Sequence, residues 1–192
     1  MKFIGIDVAT REQTIAIMDE SLKIISLLNE PAEKLAERII IPIIDEIIVA
    51  IDAPRYPSAN PDGKRGRACE RELHKMGYRV QWTPNSDFFH RAETDQEWMR
   101  VGFDLFKQFE DIKKLGKKVE IIEIFPSVSY GLFPQKLIIS IPFYLFNRKT
   151  KKDQIDAICG ALTAYCYNYE YFSALGDKQE GQIIIPNFKK NF

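Results

Sequence analysis

Apolar residues recur along the chain with two periods, and the switch between them sets out the elements. Phe3–Val8, Thr14–Met18 and Leu22–Leu28 are apolar or alternating runs separated by short polar breaks, which predicts three antiparallel strands in a meander. A helical face follows, with Pro31 in its first turn, Ala32, Leu35, Ala36 and Ile39 along it, and Pro42 at its end. Ile47–Ala53 reads as a strand buried on both faces, of the kind found in parallel sheets. Pro54–Gly66 is rich in proline and glycine and predicts a loop.

Beyond it the pattern predicts a helix over Arg67–Met76 closed by Gly77, and a strand over Tyr78–Thr83. A long helical stretch over Asp87–Leu115, broken in two, closes at Gly116. Val119–Phe125 reads as another buried strand, Thr150–Leu175 as a helix closed by Gly176, and Ile183–Ile185 as a last short strand. A meander joined through a helix to parallel strands is an α/β mixed sheet flanked by helices. The right-handed crossover rule sets the fourth strand parallel to the first, and often beside it.

That topology gives meaning to acids in apolar surroundings. Asp7 lies in FIGIDVA and Asp52 in VAIDAP. A carboxylate buried among apolar residues must be paired, protonated or metal-bound. As parallel neighbours the two would lie near the carboxyl ends of their strands, where open α/β sheets hold their ligands. Glu123, in VEIIEIFP, is a third strand acid, although period two alone does not choose between it and Glu120. Asp153 and Asp156 share one face in the first turns of the late helix, a placement that would also suit the helix dipole. Together these acids form a hard oxygen set suited to Mg²⁺ or Mn²⁺. With two histidines and three cysteines, zinc is not expected.

Composition narrows the classes without choosing among them. At 45% hydrophobic and 28% charged residues, the chain is neither disordered nor collagen-like. Its 27 basic and 27 acidic residues cancel, so an anionic partner needs a local patch. One exists: Arg55–Arg79 holds seven basic and three acidic residues, a local +4, leaving −4 on the rest. Lys64, Arg65 and Arg67 follow the Asp52 strand, where they could meet phosphate, and Lys152 flanks the helix acids. Trp82, Trp98, Phe88 and Phe89 are candidate base-stacking rings but read first as core. His74 reads as a surface residue and His90 as structural. Cys69, Cys159 and Cys166 form no paired motif and read as reduced. Asp7 interrupts the apolar run a signal peptide would need, and the longest apolar run, Leu137–Phe146, is too short to span a bilayer. A cytoplasmic protein with no membrane partner is expected.

GIDVA, AIDAP and DxxDA opening a late helix resemble the RNase H-like fold, including the Holliday-junction resolvases. More closely, the set GIDVA, AIDAP, RxCE (Arg67 to Glu70), EIFP (Glu123 to Pro126), KKDQIDAICGALTA and EGQIIIP (Glu180 to Pro186) is similar to a domain-of-unknown-function family described as predicted RNase H-like nucleases. The resemblance runs from Gly5 to Pro186. It implies strand order 3-2-1-4-5 and a metal site on strands one and four plus the C-terminal helix. Asp7, Asp52 and Asp156 match the acid positions, with Asp153 or Glu123 as the fourth. One domain over residues 1–192 is expected from the length, and the strand and long helix around 78–116 depart from the family's minimal fold as an insertion.

The expected activity is metal-dependent hydrolysis of phosphodiester bonds in DNA or RNA by a two-ion mechanism. Asp7 would bridge the ions, Asp52 would bind one, and Asp156 with Asp153 the other. Two alternatives stand beside it. One is a non-catalytic nucleic-acid or nucleotide binder of the same fold. The other is an actin-like phosphotransferase or ATPase, although no glycine-rich phosphate loop is present.

Overall fold

The computed structural model describes residues 1–43, 46–59, 65–89, 96–139 and 152–189. A seven-stranded mixed sheet with helices on both faces forms the molecule's frame. The meander is β1 (Lys2–Asp7), β2 (Glu12–Asp19) and β3 (Ile24–Pro31). After α1 (Leu35–Ile40), β4 (Ile47–Asp52) returns parallel to β1 and beside it. Then come α2 (Ala68–Lys75), the short α3 (Ser86–Phe89), α4 (Glu97–Lys114) and β5 (Val119–Ile124), parallel to β4. The chain closes with α5 (Pro126–Ser129), α6 (Gln135–Ile139), α7 (Lys152–Asn168), β6 (Phe172–Leu175) and β7 (Ile183–Pro186). The strand order is β3-β2-β1-β4-β5-β7-β6. The first five positions follow the predicted order; the β7–β6 pair extends the sheet beyond it.

Alternation along the strands divides the core into two layers. Phe3, Ile48, Ala50, Ile122 and Ile124 face α7. Ile4, Ile6, Val49, Ile51 and Ile121 face α1 and α4. The α7 layer is unusually close at Gly5. A Cβ there would stand 1.9 Å from the Ala157 carbonyl oxygen and 2.4 Å from the Ala161 nitrogen, so only glycine lets the helix backbone rest on β1. The small residues of α7, among them Gly160, Ala161 and Ala164, serve the same approach.

Several elements differ from the pattern reading. Pro31 ends β3, opposite Glu12, instead of opening a helix, and α1 starts at Leu35. Leu22 sits in the β2–β3 turn at φ 62°. Tyr78–Thr83 joins no sheet among the described residues. Its backbone partners lie on α2: the Thr83 N–H donates to the Glu70 carboxylate at 3.0 Å, and a His74 ring nitrogen lies 3.1 Å from the Val80 oxygen. The 87–115 stretch contributes α3 and α4, and residues 90–95 between them lie outside the described part. The Thr150–Leu175 helix stops at Asn168. Glu170 takes the left-handed conformation (φ 62°), and the Tyr171 N–H reaches back to the Cys166 oxygen at 2.9 Å, an αL helix closure on a residue other than glycine. The remaining residues become β6. Among the described residues, no helix is long and apolar enough to cross a membrane.

Candidate functional site

β1 and β4 run in register, so Lys2 pairs with Ile47 and Asp7 with Asp52 at their carboxyl ends. Period two puts Asp7 on the face of Phe3 and Gly5, and Asp52 on the face of Ile48 and Ala50. Both side chains therefore look toward α7. Because Gly5 seats α7 at Ala157, the adjacent Asp156 is brought over the strand ends. Asp153, one turn earlier, stands exposed at the rim.

The electrostatics record this meeting. Burial, then the charges of Asp156 and Asp153, push Asp7 from its ordinary 3.8 to about 7, against a small opposing effect from Lys152. Burial followed by Asp7, Asp156 and Glu123 drives Asp52 well upward, and burial pushes Asp156 to about 6. Among the described residues the countercharge is slight. Lys152 Nζ lies 4.0 Å from Asp156 Oδ2 and is 81% exposed, a pairing that contributes little. Carboxylates gathered this way carry a standing electrostatic penalty.

Two residues that the sequence did not single out hold the cluster in place. The Tyr130 hydroxyl, just after α5, donates to Asp156 Oδ1. Gln13, fully buried, accepts from the Ala9 N–H and donates to the Ala9 oxygen, each at 2.9 Å, fixing the chain immediately after Asp7. Neither bears a charge or motif that marks it.

Glu123 and Arg67 belong elsewhere. Glu123 pairs with Ile51, so it points to the α4 side of the sheet, opposite Asp7 and Asp52. There it takes Arg67 in a two-armed ion pair, at 2.8 and 2.5 Å, and accepts from the Arg55 N–H at 2.9 Å. Arg67 also gives its Nε to Glu70 at 2.8 Å. Arg67, Glu70 and Glu123 are each at most 2% exposed. Burial works against the Arg67 charge, but its anionic neighbours, Glu123 foremost, together outweigh it and the pKa rises above its ordinary value. The expectation of Arg67 at phosphate and of Glu123 as metal ligand is corrected on this ground: both are spent on one another. Their pairing is instead a buried brace tying α2 to β5. Glu180 adds to it, accepting from the Ala68 N–H at 2.8 Å.

Of the predicted basic contacts, Arg65 is exposed with its guanidinium 5.7 Å from the Trp82 ring centroid, and Lys152 is exposed at the acid cluster. Lys64 and His90 lie outside the described residues. Trp82 stacks on His74 at 4.1 Å between centroids, which takes His74 out of the free surface.

The donor set of Asp7, Asp52, Asp156 and Asp153 is all carboxylate oxygen, which fits Mg²⁺ or Mn²⁺. Among the described residues, no three His, Cys, Asp or Glu side chains are already gathered as a metal site. The acids share a neighbourhood while Tyr130 keeps hold of Asp156. No family model, curated protein or solved structure matches the chain.

Proposed function

We propose that the protein is a metal-dependent nuclease of RNase H-like architecture, hydrolysing phosphodiester bonds at the carboxyl ends of β1 and β4. The observation that carries this reading is the cross-strand pair Asp7–Asp52 with Asp156 of α7 beside it, each carboxyl raised by burial and the two strand acids raised further by their neighbours. Such perturbed carboxyls gathered at a sheet's ligand end are the mark of a working site more than of a structural one. Asp7, Asp52 and Asp156 would hold Mg²⁺ or Mn²⁺, with Asp153 at the rim. When bound, such ions neutralise phosphoryl charge and make a water nucleophilic at neutral pH.

The chain itself supplies the rest. Gln13 and Tyr130 orient the acids. Exposed Lys152 and Arg65 stand where a polyanion would be drawn. Closely seated α7 excludes water from one side of the pair.

The test is cleavage of labelled DNA, RNA and junction substrates with and without Mn²⁺, by the parent chain and by Asp7→Asn. Cleavage by the parent that needs the metal and is lost in Asp7→Asn supports the reading. Equal cleavage by both places the chemistry elsewhere. Tight binding with no turnover by either points to a nucleic-acid binder.

A further inference from the structure

Beside the acid cluster lies a second feature that the metal site does not use. A cavity of about 230 Å³ opens at the carboxyl ends of β4 and β5, on the α4 side of the sheet. Asp52, the last residue of β4, borders both. Apolar walls come from Pro54, Val80, Phe125 and the half-buried indole of Trp98 in the first turn of α4. Arg79 stands on its lining, exposed and with no ion-pair partner among the described residues.

We infer that this cavity receives the base of one unpaired nucleotide, with that nucleotide's phosphate on Arg79. The assignment rests on the nuclease reading and names its substrate class: single strands, flaps or frayed ends instead of blunt duplex.

Charge decides which part of a nucleotide goes where. The polar floor is Arg67 with Glu70 and Glu123, and the guanidinium is engaged by those two carboxylates and by the Glu180 carbonyl. A phosphate set on that floor would face two glutamates and, among the described residues, no free cation. The interior therefore suits an uncharged group, and the anion belongs at Arg79. A flat ring matches the indole wall, since stacking on an aromatic side chain accepts any base. The size agrees, because the volume falls below the roughly 300–1,000 Å³ of ordinary small-molecule pockets and leaves room for about one ring system. A base paired and stacked within a duplex cannot enter without being flipped out, which disfavours intact helices by the energy of unstacking.

The chain has two tryptophans, so Trp82→Phe leaves Trp98 as the only indole reporter. This variant is titrated with adenosine 5′-monophosphate in EDTA, where no metal chemistry intervenes. Saturable quenching of Trp98 emission is expected, weakened at least tenfold by adding the surface change Arg79→Ala. Inorganic phosphate should compete poorly. Single-stranded oligonucleotide should bind more tightly than blunt duplex of equal length. Quenching no greater than that of a free tryptophan derivative, or unchanged affinity in Arg79→Ala, overturns the inference. Saturable binding in a chain that never cleaves sinks the nuclease reading and leaves this pocket standing. Metal-dependent cleavage of blunt duplex as fast as single strand, with no Trp98 quenching, does the reverse.

Discussion

Replacing Asp7 by asparagine should make the metal-free protein more stable, and the gain should depend on pH. In the folded state Asp7 holds its proton up to about pH 7, against 3.8 in an exposed chain. Between those values the unfolded chain has lost a proton that the folded one keeps, so stability falls as pH rises through that window. The loss is absent below about 3.8 and complete above about 7. A gap of this width corresponds to roughly 4 kcal/mol at most. Asp7 is partly exposed and solvent screens it, so about 1–2 kcal/mol is the working figure. Asparagine keeps the shape and removes the charge. Urea unfolding at pH 8 should then show Asp7→Asn more stable by about 1–2 kcal/mol, a rise in Tm of roughly 2–8 °C. At pH 5 the gain should shrink to roughly a third. Saturating Mn²⁺ should narrow the difference by stabilising the parent alone. An asparagine variant that is less stable at pH 8, or a gain that does not vary with pH, would refute the view that burial and the neighbouring acids disfavour the Asp7 charge.

Three further changes probe the frame around the acids. Arg67→Ala strands Glu70 and Glu123 in the interior and should lower stability by about 3–5 kcal/mol in urea unfolding; a loss under 1 kcal/mol would show that the brace is not buried as described. Gly5→Ala sets a methyl against the α7 backbone and should cost about 3 kcal/mol or more, while also parting Asp156 from Asp7. An Asp7 carboxyl that still titrates near 7 by NMR in that variant would deny that Gly5 sets the spacing. Tyr130→Phe removes the bond that orients Asp156 and should weaken Mn²⁺ binding about fivefold, the equivalent of one hydrogen bond lost; tighter binding would mean that the hydroxyl competes with the metal instead of positioning the acid for it.

The sheet was legible because its strands carry their own signature. Phe3–Val8 and Ile47–Ala53 announce a meander strand and a buried parallel strand, and the crossover rule then sets Asp7 beside Asp52, which the register bears out. What was not legible turned on groups that act at a distance in sequence. Tyr78–Thr83 has the alternation of a strand, yet its backbone bonds to α2 through Glu70 and His74. The end of α7 falls on Glu170, a residue that does not advertise a left-handed turn. Glu123 shows the same limit at the site. Its strand was evident, but its face depends on pairing with Ile51, and its fate on Arg67, 56 positions away. Tyr130 and Gln13 are polar residues of common type, and only their partners give them a role.

The central claim is that Asp7, Asp52 and Asp156 together bind a divalent cation, and Mn²⁺ titration followed by electron paramagnetic resonance tests it most directly. The signal of free Mn²⁺ should fall on adding the parent chain at pH 8. Binding should weaken at pH 6, because protons held by Asp7 (to about 7) and Asp156 (to about 6) compete with the ion. Asp7→Asn and Asp52→Asn should each lower the affinity at least tenfold. A parent chain that leaves the Mn²⁺ signal untouched, or variants that bind as tightly as the parent, would contradict the account.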